Sequence, residues 1–264
     1  MPMDKVGRYE FWAEPFHCDF AKRLMMGHLG NHLLNAADFH SHDRGFGMSS
    51  LNPINKTWVL SRLAIEMEEL PPMYAHFAVE TWVENAMRFF TNRNFMVQDT
   101  ETGKVYGYGR SVWAMIDTVT RQPANLFDIN DGAIKQYIEK EKPCPIAKSS
   151  RVNVGEDARL AHTFVTRYND IDINGHFNSV KYIEHVLDLF DLEWYARHSL
   201  RRIEIAYVAE AHCGDTIKVY RQDNEEGLET LVRMVKVERT AGEQAACDQT
   251  DHEVEICRSL VKFV

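Results

Sequence analysis

Residues 169–185 read NDIDINGHFNSVKYIEH, a polar run that passes directly into an apolar pattern. The apolar residues that follow recur every three or four positions, as Val180, Ile183, Val186, Leu187 and Phe190. Such spacing is typical of the buried face of a helix. We therefore predict a helix that begins in this stretch, with a polar cluster immediately before it.

A similar stretch occurs in the first half of the chain. Asn174-Gly175-His176 is matched there by Met26-Gly27-His28, which opens another helical pattern with Leu29, Leu33, Leu34 and Ala37. Further along, Arg-Ser-Val-Trp at residues 110–113 and Arg-Ser-Leu-Val at residues 258–261 follow the two helices at the same distance. Two matches in one register predict a duplicated unit.

Each unit contains segments rich in β-branched and aromatic residues, which favour strands. They cover residues 9–17, 58–67, 77–83, 89–98 and 105–116 in the first unit, and residues 161–168, 202–208, 216–221, 230–239 and 253–263 in the second, with one turn predicted at residues 240–242. One helix followed by a meander of strands predicts an α+β unit in which an antiparallel sheet covers a single helix.

The domain boundary is expected near Pro143-Cys144-Pro145, because proline interrupts a continuous helix. We place it at about residue 145, which gives domains at residues 1–145 and 146–264. Residues 131–142 could form a short linking helix.

Composition limits the classes of function. Hydrophobic residues are 45% and charged residues 26% of the chain, as in globular proteins. A net charge of −9 disfavours nucleic acid as a partner, and the sequence has no apolar run long enough for a membrane span. The five cysteines have neither zinc-site nor disulfide spacing, and we see no signal peptide. These features favour a cytoplasmic location.

The polar cluster before the second helix contains Asp172, Asn174 and His176 at alternate positions. An extended backbone would direct all three side chains to one side. The start of a helix can also stabilise a developing oxyanion. Alternatively, Asn174 or Asn178 caps the helix.

Comparison of the two halves favours a chemical role for the cluster. In the predicted register, polar residues of the second half correspond to apolar residues of the first: Met26 for Asn174, Leu24 for Asp172 and Leu70 for Glu210. The glycine and the histidine persist as Gly27 and His28. This pattern predicts one active site and one that has lost its function.

Residues 172–183, together with Tyr207 and Glu210, resemble the acyl-acyl carrier protein (acyl-ACP) thioesterases of plant plastids and bacteria. Residues 43–47, 58–62, 81–83 and 111–115 resemble the same family, so the similarity covers nearly the whole chain. The resemblance implies two tandem hotdog domains and hydrolysis of fatty acyl-ACP thioesters, which terminates fatty acid synthesis. Ala211 stands where plant members often carry cysteine, and this excludes a cysteine nucleophile there.

The resemblance also implies the catalytic set Asp172, Asn174, His176 and Glu210. Either Glu210 or Asp172 would activate water or attack directly, Asn174 would hold the thioester oxygen, and His176 would orient a carboxylate or protonate the leaving thiolate. The N-terminal domain would shape the acyl-chain pocket, for which Met26, Met67 and Trp113 are candidates. The partner would be an acyl carrier protein with a phosphopantetheine-linked acyl chain, with neither cofactor nor metal implied.

The sequence is also compatible with other interpretations. The chain could act on acyl-coenzyme A, or could be a non-catalytic acyl-binding hotdog module. Docking of an acidic carrier protein would use basic residues, for which the candidates are Lys148, Arg151, Arg159, Arg167, Lys181, Arg201 and Arg202. Cys213 is interpreted as a small buried residue, and the pair His28 and His32 as not binding a metal. The sequence leaves open whether the protein is a monomer or a homodimer, and which acyl chains it prefers.

Overall fold

The computed structural model describes residues 3–239 and 251–264, so the turn predicted at residues 240–242 lies outside the described residues. The chain divides into two compact units, Met1–Ser149 and Ser150–Val264. This division lies slightly after the boundary predicted at about residue 145. Among the described helices, none combines the length and the hydrophobicity needed to cross a membrane.

Unit 1 is an antiparallel sheet with one long helix, α1 (Met26–Asp43), followed by the single turn α2 (Met48–Leu51). Its strands are β1 (Val6–Trp12), β2 (Lys56–Met67), β3 (His76–Ala86), β4 (Phe90–Asp99) and β5 (Val105–Asp117). They are hydrogen-bonded in the order β1-β3-β4-β5-β2.

Helix α1 packs its apolar face on this sheet. The buried residues of that face include Met26, Leu29, Leu33, Ala36 and Ala37, at the spacing expected for one side of a helix. A Cβ atom built on Gly109 of β5 would lie 3.5 Å from Leu33 Cδ1 and 3.1 Å from Phe95 Cδ2. The glycine therefore allows α1 to approach the sheet closely.

Unit 2 repeats the architecture with β6 (Arg159–Val165), α3 (Ser179–Leu187), α4 (Leu192–Arg197), β7 (Leu200–Tyr207), β8 (Thr216–Asp223), β9 (Glu229–Arg239) and β10 (Asp251–Phe263). The strand order is β7-β10-β9-β8-β6, again with antiparallel pairs. The two units confirm the predicted α+β fold of two tandem hotdog domains.

Two predicted helices differ from the structure. The helix of unit 2 is shorter than expected: α3 ends at Leu187, and Asp191 Oδ1 accepts a hydrogen bond from Trp194 N to cap the separate helix α4. Residues 131–142 do not form the proposed linking helix. The segment Asn130–Tyr137 consists of 3-10 turns, because Asp131 and Gly132 have left-handed backbone conformations that interrupt it.

The structure corrects the register of the duplication. Cys18 pairs with Leu24 just before α1, and Ile171 pairs with Phe177 in the same way before α3. Two pairs of contacting rings lie at matching positions in the units: Phe11 with His32, which are tilted, and Phe164 with His185, which are stacked. In this register Ala21, and not Met26, corresponds to Asn174, while Arg23, and not His28, corresponds to His176.

The match between residues 110–113 and 258–261 also fails structurally. Gly107 is the partner of Met67 across the β2–β5 pair, and Cys257 is the partner of Tyr207 across the β7–β10 pair. Arg258 therefore corresponds to Tyr108 and not to Arg110. The duplication is real, but both short motifs that indicated it are coincidental.

Candidate active site

The polar cluster of unit 2 forms a tight turn closed by the bridge between Ile171 and Phe177. Asp172 N donates to His176 O at 2.8 Å, and Gly175 N donates to Asp172 O at 3.0 Å. Gly175 has φ of +81°, a left-handed conformation that glycine adopts readily. The segment is therefore a turn and not the extended backbone that would direct alternate residues to one side.

The carboxylate of Asp172 holds this turn. Its Oδ1 accepts hydrogen bonds from Asn174 N at 2.8 Å and from His176 N at 3.1 Å. The same arrangement occurs in unit 1, where Asp19 Oδ1 accepts from Arg23 N at 2.9 Å. An aspartate carboxylate often fixes a turn by accepting hydrogen bonds from the backbone N–H groups two to four residues ahead. Asp172 thus has a structural task that its counterpart in unit 1 shares.

The cap of α3 is Asn178, whose Oδ1 accepts from Val180 N at 2.9 Å. Of the two capping candidates, Asn178 was therefore the correct one. Asn174 lies exposed in the turn, and its side-chain amide makes no hydrogen bond with any described residue. Because α3 begins only at Ser179, the positive end of the helix does not lie at Asn174, contrary to our expectation.

Glu210 and His176 form a pair of neighbouring ionisable groups in the site. Glu210 Oε2 lies 3.6 Å from His176 Nε2, and the two side chains are 37% and 30% exposed. The backbone brings them together, since Phe177 N donates to Ala211 O at 2.7 Å. This separation is within the range of an ion pair but slightly longer than a direct hydrogen bond. A small side-chain rotation would bring the two atoms within hydrogen-bonding distance. A carboxylate beside an imidazole is suited to proton transfer.

Neighbouring residues fix the segment that carries Glu210. His212 N donates to Asp215 Oδ2 at 2.8 Å, and Thr166 Oγ1 donates to His212 O at 2.6 Å. Under the site, Tyr207 donates its hydroxyl to Ser179 O at 2.9 Å and packs against Tyr182 with ring centroids 5.3 Å apart. Burial raises the pKa of both tyrosines well above the usual range, so they remain neutral.

Unit 1 lacks the functional groups at the equivalent positions. Leu70 replaces Glu210 as predicted, because Leu24 N donates to Pro71 O as Phe177 N does to Ala211 O. Arg23 stands at the position of His176, and its guanidinium lies 3.3 Å from Asp19 Oδ2. The corrected register therefore retains only the aspartate that holds the turn. The interpretation of His28 as a surviving counterpart of His176 was wrong.

The proposed acyl-pocket residues lie in unit 1 but not all together. Met26 and Met67 are 3% and 1% exposed and lie at the same end of the sheet, since Leu24 N bonds Pro71 O just beyond β2. Trp113 lies six residues along β5 from Gly107, the partner of Met67, which is about 20 Å at the usual rise per residue. The structure thus brings Met26 and Met67 to one end and separates Trp113 from them.

A buried polar group lies between the end of the sheet that carries Met26 and Met67 and the position of Trp113. Arg93 is the β4 partner of Ser111 and is almost fully buried. Its guanidinium donates to Thr81 Oγ1 and to Ser41 Oγ of α1, each at 3.1 Å. An apolar channel from Met67 to Trp113 would have to pass this guanidinium.

Two further side chains differ from their interpretation. Cys213 is exposed, not buried as expected. His212 was missed; the available signal was its position two residues after Glu210, with the buried Ala211 between them. Among residues 3–239 and 251–264, His176, Glu210 and His212 are the only group close enough to share a metal ion, so the pair His28 and His32 is not part of such a group.

Family models match both units. The acyl-ACP thioesterase N-terminal domain model matches residues 6–136, and the C-terminal domain model matches residues 155–254. A crystal structure of an acyl-ACP thioesterase from Bacteroides thetaiotaomicron is 50% identical, with a TM-score of 0.86 over 98% of this chain and 98% of that chain. The 12:0-ACP thioesterase from Umbellularia californica shares the fold, with a TM-score of 0.81 over 100% and 99% of the two chains at 19% identity.

Curated plant relatives are more distant. The chloroplastic palmitoyl-acyl carrier protein thioesterase of Gossypium hirsutum is 27% identical over 195 residues, which are 70% of this chain and 47% of the relative. A chloroplastic oleoyl-acyl carrier protein thioesterase of Arabidopsis thaliana is 23% identical over 79% of this chain and 60% of the relative. The chain spans about half the length of the curated relatives it matches. With both domain models and a solved relative at half identity, the chain belongs to the acyl-ACP thioesterase family.

Proposed function

We propose that this protein hydrolyses fatty acyl-ACP thioesters to free fatty acid and holo-acyl carrier protein, and so terminates fatty acid synthesis. The observation that carries the proposal is the contact between Glu210 and His176 in unit 2, at positions that Leu70 and Arg23 occupy in unit 1. The names of the similar proteins, which act on palmitoyl-, oleoyl- and 12:0-ACP, support the substrate class.

In the proposed mechanism, Glu210 accepts a proton from water as the water oxygen attacks the thioester carbonyl carbon. His176 orients the carboxylate, and the exposed amide of Asn174 donates a hydrogen bond to the carbonyl oxygen as it becomes negative. When the tetrahedral intermediate collapses, the carbon–sulfur bond breaks. The leaving thiolate then takes up the proton that Glu210 accepted from water. Asp172 contributes by holding the turn that carries Asn174 and His176.

The acyl chain is proposed to occupy the interior of unit 1 near Met26 and Met67. Flexible, buried methionine side chains suit a pocket for lipid tails. Met67→Phe should shift the chain-length preference, measured as relative turnover on a series of acyl-ACP substrates. An unchanged profile across the series would count against this location, and Trp113→Phe serves as the distant control.

The carrier is tested by comparing thiol release from acyl-ACP and from acyl-coenzyme A at low and high salt. Exposed Arg151, Arg159 and Arg167 could dock an acidic protein, whereas Arg202 is buried and its Nε donates to Glu204 Oε1 at 2.8 Å. We expect faster turnover of acyl-ACP at low salt and a smaller preference at high salt. Equal rates of thiol release from acyl-ACP and acyl-coenzyme A, at both salt concentrations, would favour the coenzyme A alternative. The absence of thiol release from either substrate would favour an acyl-binding module.

We also propose a cytosolic location, in line with the unpaired state of the described cysteines Cys18, Cys144, Cys213 and Cys257.

A further inference from the structure

Three potential metal ligands lie on the open side of the segment that follows β7. His176 and His212 are opposite each other in an antiparallel bridge, with ring centroids 5.2 Å apart. Glu210 precedes His212 by two residues and shares its side, while Ala211 between them is fully buried. One ligand atom of each of the three residues lies within 4.8 Å of the other two.

The separations are close to those of a filled site. Ligand atoms on a tetrahedral zinc ion, each about 2.0–2.1 Å from the metal, are about 3.3 Å apart. His176 Nε2 and Glu210 Oε2, at 3.6 Å, nearly meet this value. His212 is exposed, so its ring can rotate to close the remaining distances. The backbone of these residues is meanwhile fixed by Asp172, Thr166 and Asp215.

We propose that His176, Glu210 and His212 bind one divalent transition-metal ion, and that this ion inhibits the enzyme. Two imidazoles and one carboxylate with an open fourth position suit zinc, and not magnesium, which prefers oxygen ligands. His176 Nε2 and the carboxylate of Glu210 would coordinate the bound ion, so that Glu210 could not accept the proton of water. Metal binding does not depend on the proposed function, whereas the inhibition rests on it.

Unit 1 provides an internal control for the number of ions. The bridge between Arg23 and Pro72 corresponds to the bridge between His176 and His212. With Leu70 at the position of Glu210, the equivalent positions carry no metal-ligand side chain. We therefore expect one ion for each chain.

Binding is tested by calorimetric titration of the full chain, free of any affinity tag, with zinc chloride. Wild-type protein should bind one zinc ion, and magnesium should not compete. His212→Gln should weaken binding by at least about tenfold, because even the outer-shell partners of metal ligands are worth 10–100-fold. Cys213→Ser is the matched control, since this exposed thiol is adjacent but outside the group. Absent binding, or binding lost in Cys213→Ser and kept in His212→Gln, would overturn the site.

Inhibition is tested by following thiol release from acyl-ACP with and without zinc, each variant compared with its own metal-free rate. Wild type and Cys213→Ser should be inhibited and recover with a chelator, whereas His212→Gln should resist. Zinc binding without an effect on hydrolysis would refute the inhibition. A chain that binds zinc but never hydrolyses substrate would refute the proposed function and leave the metal site intact.

Discussion

At the residue scale, the two candidate carboxylates of the site have different surroundings. Asp172 Oδ1 already accepts two backbone hydrogen bonds, and Asp19 has the same task in unit 1. Glu210 instead faces His176, and unit 1 carries Leu70 at its position. The structure therefore separates two residues that the sequence left equivalent, and it favours Glu210 as the general base.

Replacing Glu210 by glutamine should lower kcat/KM by about 10²–10⁴, the usual contribution of a general base. The amide has nearly the same shape but cannot accept the proton, and the partly exposed site should tolerate the change without loss of stability. Steady-state thiol release, together with a thermal melt, measures both effects. Glu226→Gln, in the exposed turn between β8 and β9, is the matched control and should keep full activity. Full activity in Glu210→Gln would exclude Glu210 as the base.

Asp172 should tolerate asparagine better than alanine. The Oδ1 of asparagine can accept the same two backbone hydrogen bonds, so Asp172→Asn should keep much more activity than Glu210→Gln. Asp172→Ala removes both bonds and should lower the free energy of unfolding by about 1–2 kcal/mol. Asp19→Ala should destabilise unit 1 similarly while leaving the proposed catalytic residues of unit 2 in place. Equal inactivation by asparagine and alanine, with unchanged stability, would instead make Asp172 the base.

At the scale of elements, the turns before α1 and α3 both favour glycine at one position, so removing a glycine and introducing one should change stability in opposite directions. Gly175 has φ of +81° and Lys22, its counterpart, has φ of +60°. A Cβ at Gly175 would have no atom within 4 Å, so Gly175→Ala should cost about 1 kcal/mol through backbone strain alone. Lys22→Gly relieves that strain and should stabilise by about 0.5 kcal/mol after the entropy of glycine is subtracted. Urea unfolding of both variants measures the signs, and equal signs would contradict the argument.

The elements were predictable from the sequence, but their register was not. Strands were found because β-branched and aromatic residues mark them, and Leu70 was correctly paired with Glu210 because the two strands align over many residues. The pairing of His28 with His176 rested on a Gly-His dipeptide, which occurs at unrelated positions of the two helices. In the true register Phe11 corresponds to Phe164 and His32 to His185, and this becomes visible only in the folded structure, where the two ring pairs and the two bridges lie at matching positions.

Two glycines of β5 should respond differently to alanine. A Cβ at Gly107 would lie 2.4 Å from Glu66 O and 2.7 Å from Met67 Cα, and backbone atoms cannot easily move away. At Gly109 its nearest neighbour is a side-chain atom, Phe95 Cδ2, at 3.1 Å. Gly107→Ala should destabilise by about 3 kcal/mol or more and Gly109→Ala by about 1 kcal/mol. Denaturant midpoints give the comparison, and a larger loss at Gly109 would contradict the closer backbone packing around Gly107.

At the scale of the whole molecule, each unit contains a partly buried histidine whose ring lies against a phenylalanine. His32 lies against Phe11 with ring centroids 4.5 Å apart, and His185 lies against Phe164 at 3.8 Å. Burial lowers the pKa of His32 to about 4, and it also lowers the pKa of His185. Around both histidines, nearby carboxylates partly oppose this effect and another histidine reinforces it: Asp170 and His162 at His185, and Glu14 and His17 at His32.

This pair predicts how stability depends on pH. An unfolded histidine binds a proton near pH 6.5, whereas folded His32 does so only near pH 4, so the unfolded state holds more protons between these values. The contribution of His32 to the free energy of unfolding should therefore be constant above about pH 6.5 and fall as the pH drops toward about 4, by up to about 1.4 kcal/mol per pH unit. Urea unfolding across this window measures the slope. His32→Leu should reduce the slope of the free energy of unfolding against pH by the amount that one titrating group contributes. His252→Ala, at an exposed position, should leave this slope unchanged. A slope in His32→Leu equal to that of the wild type would show that His32 is protonated as readily in the folded as in the unfolded chain.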